Sequence, residues 1–322
     1  MSVAFIIGSE GQDGRLLAGL LERQGTGVVG IDQGLLRDGP GLGLAPVDIA
    51  EADTVARAVE KARPAEVYYL PAYHHSSQDL PAPDELKLME KSFEVHVRGL
   101  VHFLEAIRRF SPQTRLFYAA SSHVFGEPPS SPQDETTPIS PVCIYGITKA
   151  AGLHCCRYYR ASHRVFASVG ILYNHESPLR AEKFVPQKIV RAAVRIHGGS
   201  RERLVLGDLA ARVDWGYAPD TVDAMVRILR QDSADDFVVA TGEAHTVEEF
   251  AQTAFSLLGL DWRQHVDVKP SILGKPRRNL VGDARKLRTR TGWRPSVSFA
   301  EMVHLLVQAA RDGSRQAAGG SR

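Results

Sequence analysis

Short, almost continuously apolar runs recur along the chain and alternate with stretches whose apolar residues lie three or four positions apart. Uninterrupted apolar runs are typical of strands buried on both faces, whereas the longer 3.6-residue pattern predicts amphipathic helices. The predicted strands are 3–7, 27–31, 67–70, 115–118, 166–172 and 237–240. This alternation of strand and helix predicts an α/β fold built on a doubly wound parallel sheet.

The same pattern predicts two units. The sheet domain is expected at 1–172 with a return at 214–240, and a smaller C-terminal α/β substrate-binding domain at 173–213 and 241–312. Long helices predicted at 93–110 and 144–159 would lie on one side of the sheet, where such pairs often also form a dimer face.

Two segments are predicted to lack regular structure. Residues 33–45 are rich in Gly, Leu and Pro, which indicates a loop. A final helix is predicted at 299–311. The tail 313–322 consists mainly of Ser, Gly, Ala and Arg and is predicted to be disordered.

A glycine-rich turn follows the first predicted strand and opens a helix. It contains Gly8, Gly11, Gln12, Asp13 and Gly14. Glycines permit a tight turn and let backbone N–H groups approach a pyrophosphate at the helix N-terminus. An ordinary strand-to-helix turn is the alternative, but the next predicted strand ends in Asp32, at the distance expected for an acid that binds a ribose. The joint pattern predicts a dinucleotide site.

Asp32 also indicates which dinucleotide binds. A carboxylate at this position accepts hydrogen bonds from both ribose hydroxyls and repels a 2′-phosphate, which favours NAD over NADP. A strand-end aspartate that only caps a turn is the alternative. Further candidate cofactor contacts are Asp48, Ile49, Leu70, Ala72, Leu172, Asn174 and His175.

The stretch 121–149 holds the most candidate chemistry. Ser121 ends a buried strand, and Tyr145 and Lys149 lie on the first turns of a predicted helix. Residues four apart share one helical face, so the ammonium of Lys149 would lie beside the phenol of Tyr145 and favour its ionised form. A phenol with a lowered pKa can exchange a proton with a sugar hydroxyl, and Ser121 could share that proton. A Tyr and a Lys four residues apart also occur by chance on solvent-exposed helices. The motif indicates chemistry here because a buried strand that ends in Ser121 precedes it.

Composition narrows the possible classes of protein. A formal net charge of +2 at pH 7 gives no bulk attraction to nucleic acid or to an anionic membrane. The chain has no apolar run of membrane length, and its three cysteines form neither a disulfide framework nor a zinc spacing, which predicts a cytoplasmic protein. The adjacent His74 and His75 have no partner at metal-ligand spacing, so no metal site is predicted.

Longer motifs extend over nearly the whole chain. They are Gly11-Gln12-Asp13-Gly14, Tyr145-Gly146-x-x-Lys149, Leu172-Tyr173-Asn174-His175-Glu176-Ser177-Pro178, Phe184-Val185 with Lys188-Ile189, Asp214-Trp215-Gly216, Ala240-Thr241-Gly242-Glu243-x-His245, and Gly282-Asp283 ahead of Gly292-Trp293-Arg294-Pro295. With these motifs the chain resembles the extended short-chain dehydrogenases/reductases, and within them the GDP-mannose 4,6-dehydratases. The resemblance implies a Rossmann domain that binds the cofactor.

The resemblance also implies a reaction. NAD would take hydride from C4 of a GDP-linked hexose or heptose while Tyr145, aided by Lys149 and Ser121, takes the hydroxyl proton. The 4-keto group acidifies the C5 proton, a carboxylate removes it, water leaves from C6 and hydride returns to C6. Candidate substrate contacts are Ser122, Asn174, Val185, Lys188, Arg212, Arg277 and Arg278, with Lys188 near the diphosphate.

His123 departs from the family pattern. The family places a Thr and, two positions later, the catalytic Glu where this chain has Ser121 and His123. A neutral imidazole can accept a proton and an imidazolium can return it, so His123 is a candidate catalytic group. A role in filling space or contacting substrate is the alternative.

Two further departures concern arginines. Val213 stands where the family has an arginine, with Arg212 one residue earlier, and Arg277 and Arg278 could supply the phosphate contact instead. The family's long loop after the second strand, with arginines for the 2′-phosphate and for tetramer contacts, is replaced by Asp32 and a short loop. This difference predicts NAD as cofactor and a homodimer.

Three functions remain open from the sequence. The first is a GDP-sugar 4,6-dehydratase, and the second is a C4-dehydrogenase or epimerase, which needs only Ser121, Tyr145 and Lys149. The third is a sensor that binds nucleotide without catalysis, which the retention of all three residues disfavours.

Overall fold

The structure, a computed structural model, describes residues 2–73, 84–269 and 280–319. Its strands are β1 (Val3–Ile7), β2 (Gly27–Asp32), β3 (Leu35–Asp38), β4 (Glu66–Tyr69), β5 (Arg115–Ser121), β6 (Phe166–Leu172), β7 (Asn174–Glu176), β8 (Leu204–Leu206), β9 (Arg212–Val213), β10 (Trp215–Tyr217), β11 (Asp236–Val239), β12 (His245–Thr246) and β13 (Val266–Val268). Its α-helices are α1 (Gln12–Arg23), α2 (Ala52–Ala62), α3 (Glu85–Phe93), α4 (Gly99–Phe110), α5 (Ile144–His163), α6 (Val185–His197), α7 (Ala218–Leu229), α8 (Val247–Ser256), α9 (Arg285–Thr291) and α10 (Phe299–Gly319). A π-helix at Glu94–Arg98 joins α3 to α4, and 3₁₀ turns lie at Ser122–Phe125 and Trp262–Gln264.

Seven strands form one sheet in the order β11-β6-β5-β4-β1-β2-β3. All neighbours pair in parallel except β2 and β3. The strand order reverses between β1 and β4, and open α/β sheets bind ligands at the carboxyl ends of the strands beside such a reversal. The predicted α/β fold with a doubly wound, mostly parallel sheet is confirmed.

Helices cover both faces of the sheet because each strand is apolar on both sides. On one face, α1 and α7 pack around Leu17 and Met225, and on the other α2, α4 and α5 pack around Phe103 and Leu153. Burial of each such side chain contributes about 1.5–3 kcal/mol. The sheet is therefore held between two apolar layers.

A third apolar cluster lies among the later elements. Helices α6, α8 and α10 contact one another through buried residues that include Ile189, Phe250 and Val303. Two-stranded sheets formed by β7 with β10, β8 with β13 and β9 with β12 complete this part of the chain. Among the described residues, no helix combines the length and the apolar character that crossing a membrane requires.

The buried carboxylate of Asp214 ties three segments of the chain together. Its Oδ1 accepts from the backbone N–H and the hydroxyl of Thr241 at 3.0 and 2.6 Å. Its Oδ2 accepts from the N–H groups of Gly242 and Gly282 at 3.0 and 3.1 Å. The start of β10, the end of β11 and the segment before α9 therefore meet at one side chain.

The structure differs from the sequence prediction at three places. Within the predicted loop 33–45, residues Leu35–Asp38 form the antiparallel edge strand β3, because they pair with the exposed edge of β2. The predicted helix 93–110 is interrupted by the π-helix and preceded by α3. The helix predicted to end at Arg311 continues to Gly319. Residues 314–318 include helix formers, and Gly313 lowers the stability of the helix by only about 1 kcal/mol.

Candidate active site

A cleft of about 1280 Å³ opens along the carboxyl edge of the sheet. It is lined by most of the residues that the sequence predicted to bind or react. They are Gly8, Gly11, Gln12, Asp13, Gly14, Asp32, Asp48, Ile49, Leu70, Ala72, Ser121, His123, Tyr145, Lys149, Leu172, Asn174, His175, Val185 and Lys188. Residues distant in sequence meet here because the ends of β1, β2, β4, β5 and β6 share this edge.

Two predicted substrate contacts do not line the cleft. Ser122 begins a 3₁₀ turn that directs it into the protein, where it is 4% exposed. Arg212 lies on β9 between two cleft residues, and because strand side chains alternate it faces away and donates to the carbonyl of Ala244 at 2.9 Å. Arg277 and Arg278, like His74 and His75, lie outside the described residues.

The glycine-rich turn brings backbone very close to backbone. Gly8 has φ +82°, and a Cβ atom on Gly14 would lie 2.3 Å from the carbonyl oxygen of Gly8 and 2.6 Å from Cα of Ser9. Only glycine fits at position 14, and helix α1 therefore begins directly against the end of β1. Such a turn, with helix N–H groups open to the cleft, fits the pyrophosphate of a dinucleotide.

Asp32 ends β2 with its carboxylate fixed on the cleft wall. One oxygen accepts from the N–H of Glu10 at 2.8 Å and the other from the N–H of Gln33 at 2.8 Å. Each oxygen keeps a second lone pair, which can accept from a ribose hydroxyl. Leu35 pairs opposite Asp32, whereas Arg37 pairs opposite Gly30 and is absent from the cleft wall.

A polar network connects the glycine-rich turn to the exit of β6. His175 has an acceptor at each ring nitrogen, the carbonyl of Tyr173 at 2.7 Å and the carboxylate of Asp13 at 2.9 Å. Burial opposes charge on both partners, but Asp13 raises the pKa of His175 and His175 lowers the pKa of Asp13. Because an acceptor faces each ring nitrogen, the geometry fits an imidazolium beside a carboxylate. Gln12 adds bonds to His175 and Ser177.

Lys149 is fully buried on α5, and its ammonium is held by the ends of two strands. Nζ donates to the carbonyls of Pro71 at 2.9 Å and Ala119 at 2.8 Å, and it lies 5.8 Å from the ring centre of Tyr145. Burial lowers the pKa of Lys149 to about 7, although Asp13 opposes this shift. Lys149 thus also anchors the first turns of α5 to β4 and β5.

The pKa of the Tyr145 phenol is shifted in the direction opposite to the sequence prediction. Burial raises the pKa of its phenol to about 12, while Arg180 and a hydrogen bond from Ser121 lower it. The predicted lowering of the phenol pKa was therefore wrong for the protein without cofactor, because burial outweighs the neighbouring charges. Ser121 and Tyr145 do meet, as predicted.

Two histidine rings contact the ring of Tyr145, and the sequence analysis missed one of them, His96. His96 meets the Tyr145 ring edge-on, with centroids 5.4 Å apart, and is fully buried within the π-helix. Its Nε2 accepts from the N–H of Tyr73 at 2.8 Å, so its Nδ1 donates to the hydroxyl of Thr148 at 2.7 Å. Insertion of an extra residue into a helix is frequent at functional sites, but this bulge has no sequence signature.

His123 also contacts the phenol ring of Tyr145 edge-on, with centroids 5.7 Å apart and the planes at 88°. Its backbone N–H donates to the hydroxyl of Ser121 at 3.3 Å, and its Nδ1 lies 3.7 Å from Sγ of Cys143. His123 thus lies beside Ser121 and Tyr145 on the cleft wall.

Glu176 and Arg180 are cleft residues that the sequence analysis did not single out. Glu176 is 2% exposed, and its Oε2 lies 3.8 Å from Nε of Arg180, too far for a hydrogen bond. Burial raises the pKa of Glu176 to about 7, although Arg180 and His175 oppose the shift. Glu176 is the third residue of the Asn-His-Glu-Ser-Pro motif and Arg180 follows that motif by two positions, so the motif was the available signal.

Replacement of Glu176 by Gln is expected to change how stability depends on pH. The folded protein holds the Glu176 proton up to about pH 7, whereas the unfolded chain releases it near 4.3. The stability that this proton contributes is present below about pH 4 and is lost as pH rises to 7. Between pH 5 and 8, the free energy of unfolding of Glu176→Gln, measured with urea, should rise by about 3 kcal/mol relative to that of wild type. Equal pH slopes in both proteins would contradict this assignment, and the exposed Glu127→Gln is the control.

Among the described residues, no group of three His, Cys, Asp or Glu side chains could hold a metal ion. The arrangement instead joins a dinucleotide cradle to a hydroxyl, phenol and imidazole cluster. Such a cluster can exchange protons with an alcohol whose carbon lies against a nicotinamide.

Comparison with known proteins agrees with this chemistry. The chain matches the family model described as GDP-mannose 4,6 dehydratase over residues 5–306. It is 41% identical over 266 residues to GDP-mannose 4,6 dehydratase 2 of Arabidopsis thaliana, a match that covers 81% of this chain and 69% of that protein. It is 31% identical over 344 residues to GDP-mannose 4,6 dehydratase of Homo sapiens, covering 96% and 91% of the two chains.

A solved structure is similar to this chain over nearly its whole length. UDP-glucose 4-epimerase of Thermus thermophilus in complex with NAD superposes with a TM-score of 0.78 at 25% identity, covering 96% of this chain and 99% of that one. The matches confirm the predicted extended short-chain dehydrogenase/reductase type and a nicotinamide dinucleotide as the kind of cofactor. The chain belongs to the GDP-mannose 4,6-dehydratase family.

Proposed function

We propose that this protein oxidises C4 of a GDP-linked hexose or heptose and then eliminates water to give a 4-keto-6-deoxy sugar. The observation that carries the proposal is the meeting of Ser121, Tyr145 and His123 at the end of the dinucleotide cradle. A nicotinamide dinucleotide bound in this cradle would supply the acceptor and the donor of the hydride. All proton transfers then belong to side chains of this cluster.

Each side chain has a separate task. The phenol of Tyr145 first loses its own proton to solvent, and the phenolate takes the C4 hydroxyl proton as the carbon is oxidised and gives it to C5 when hydride returns to C6. Ser121 shares a hydrogen bond with the phenol oxygen throughout. The positive charge of Arg180 lowers the pKa of the phenol and so assists this step. His123 replaces the family carboxylate: its imidazole takes the C5 proton and returns it to the hydroxyl that leaves C6.

The first turn of α6 is proposed to bind the diphosphate of the substrate. Val185 and Lys188 line the cleft there, and no side chain caps the helix. Helix N-terminal N–H groups and a nearby ammonium together attract a phosphate. Asn174, at the exit of β6, faces the same cleft and is proposed to contact the sugar nucleotide. This region, 173–213 with 241–312, is proposed as the substrate-binding unit.

We infer that the cofactor is NAD rather than NADP, because Asp32 lines the ribose end of the cleft and Arg37 does not. Replacement of Asp32 by Ala is expected to weaken NAD binding roughly 10- to 100-fold, since a hydrogen bond to a charged group contributes about 1.5–3 kcal/mol. The same change should reduce the preference for NAD over NADP, because it removes a charge that repels the 2′-phosphate. Fluorescence titration with both dinucleotides measures this, with the exposed Asp53→Ala as control. Tighter NADP binding by wild type would contradict the inference.

A homodimer is proposed to form through α3 and α5. These helices present Leu86, Phe93, Ile147 and Tyr158, which are 66, 39, 37 and 57% exposed. Exposed apolar side chains on adjacent helices of one face favour a two-fold contact. Light scattering should give twice the chain mass of 35.3 kDa, and Tyr158→Glu should shift the protein towards the monomer. A monomeric wild type at micromolar concentration would contradict the proposal.

The fate of the 4-keto sugar separates the proposed dehydratase from its rival. The rival is a C4-dehydrogenase or epimerase, which the replacement of the family Glu by His123 favours. Mass spectrometry after incubation with GDP-mannose or a GDP-heptose should show loss of one water. Loss of two hydrogens with absorbance at 340 nm would indicate the dehydrogenase, and an isomer of equal mass the epimerase. No change in any substrate would contradict an enzymatic role on these sugars.

His123 itself can be tested in the same assay. His123→Ala is expected to keep C4 oxidation and to slow loss of water by about 100-fold, the scale of one general acid–base group. Unchanged formation of the deoxy product would exclude an acid–base role for His123.

A further inference from the structure

Cys143 occupies an unusual place at the start of helix α5. It is the N-cap residue, with extended backbone at φ −147° and ψ 156°, and its sulfur accepts from the N–H of Gly146 at 3.5 Å. Ser, Thr, Asp and Asn are the preferred residues at this position because oxygen is the stronger acceptor. Helix capping alone therefore does not favour a cysteine, although Tyr145 depends on this turn.

The second contact of the sulfur is with His123. Nδ1 of His123 lies 3.7 Å from Sγ of Cys143, within hydrogen-bond distance for sulfur. The N–H of Gly146 takes one lone pair of this sulfur, and the second lone pair can accept another hydrogen bond. A bond from Nδ1–H of His123 to the same atom would fix the tautomer of the imidazole.

We propose that Cys143 is a positioning residue for His123, whose Nδ1–H it accepts so that Nε2 keeps its lone pair for the substrate. This inference rests on the proposed function, in which His123 stands in for a carboxylate. Bases in other enzymes are similarly oriented by a third group that accepts from the far ring nitrogen. Here the third group is a thiol sulfur at the helix N-terminus.

The proton balance of the elimination follows from this tautomer. Nε2 takes the C5 proton, the electron pair of the C5–H bond forms the C5–C6 double bond, and the C6–O bond breaks. The imidazolium then gives its Nε2 proton to the departing hydroxyl, which leaves as water. His123 returns to its neutral Nδ1–H form, and Cys143 undergoes no covalent change.

The tautomer can be measured on the protein with its cofactor and without substrate. Nitrogen-15 NMR of histidine-labelled protein, with the His123 signals assigned from the His123→Ala spectrum, should show His123 protonated at Nδ1. Cys143→Ser, which keeps an acceptor and a helix cap, should retain that tautomer, and Cys143→Ala should lose it. A wild-type His123 protonated at Nε2 would overturn the proposal.

Kinetics separates positioning from a merely structural role. Cys143→Ala should slow loss of water at least about 10-fold while leaving C4 oxidation in the first turnover unchanged, because Tyr145 remains in place. Cys143→Ser should stay within about 3-fold of wild type, as should Cys155→Ser on the same helix. Equal slowing of both steps, or no slowing of either, would overturn the proposal. Failure of His123→Ala to slow elimination would remove the role of His123 on which this inference rests, whereas a wild type that forms no deoxy product would contradict the proposed function itself.

Discussion

Replacement of Tyr145 by Phe is expected to lower the rate of C4 oxidation by about 10²- to 10⁴-fold, the contribution of one general acid–base group. The change removes only the hydroxyl that bonds with Ser121, and the ring keeps its edge contacts with His96 and His123. Cofactor content should therefore stay at the wild-type level. Rapid-quench analysis of the 4-keto sugar gives the rate, and absorbance of the dinucleotide released on denaturation gives the content.

Tyr158→Phe is the matched control for that change. It makes the same substitution on the same helix at a side chain that is 57% exposed and far along α5 from the cleft. We expect this variant to oxidise C4 at the wild-type rate. If Tyr145→Phe retained more than a tenth of the wild-type rate, the phenol could not be the group that takes the alcohol proton.

The second large effect is expected from Gly14→Ala. The added methyl group would lie 2.3 Å from the carbonyl oxygen of Gly8 and 2.6 Å from Cα of Ser9, and backbone cannot move aside as a flexible side chain can. Overpacking of this kind costs typically about 1–3 kcal/mol of folding free energy. Dinucleotide binding should fall below detection, because the strand and helix must separate at the place where the pyrophosphate binds.

Gly19→Ala provides the comparison within the same helix. Its methyl group would meet only the end of the Arg23 side chain, at 3.3 Å, and alanine favours helix over glycine by about 1 kcal/mol. Chemical unfolding and isothermal titration with NAD should show a variant at least as stable as wild type with unchanged affinity. Intact binding in Gly14→Ala would show that the turn is not the pyrophosphate cradle.

The parts of the fold that the sequence predicted share a strong local signal. Runs such as 3–7 and 166–172 are apolar on both faces, so their burial and parallel pairing followed from composition alone. The edge strand β3 was missed because it is short, polar in part and borders a glycine-rich segment, and only its pairing with β2 makes it a strand. The interruption of the helix at Glu94–Arg98 depends on packing around Tyr69 and α5, which no local pattern encodes.

The candidate site was predictable to a similar degree. Motif residues at strand ends, such as Gly14, Asp32 and Tyr145, line the cleft because topology brings those ends together. The pKa of Tyr145 could not be read from its spacing to Lys149, since burial depends on the whole surrounding wall. Arg212 was misassigned because a single residue of offset reverses the facing of a strand side chain.

The junction at Asp214 has a consequence for engineering. Its donors, Thr241, Gly242 and Gly282, come from segments that a simple exchange of the sugar-binding half between relatives would separate. In a chimera joined at β10, the carboxylate of Asp214 and its hydrogen-bond donors would come from different parents. Any donor that is displaced would leave a buried carboxylate without its hydrogen bonds, which costs folding free energy. Grafts that alter sugar preference should therefore keep these three residues and Asp214 together from one parent.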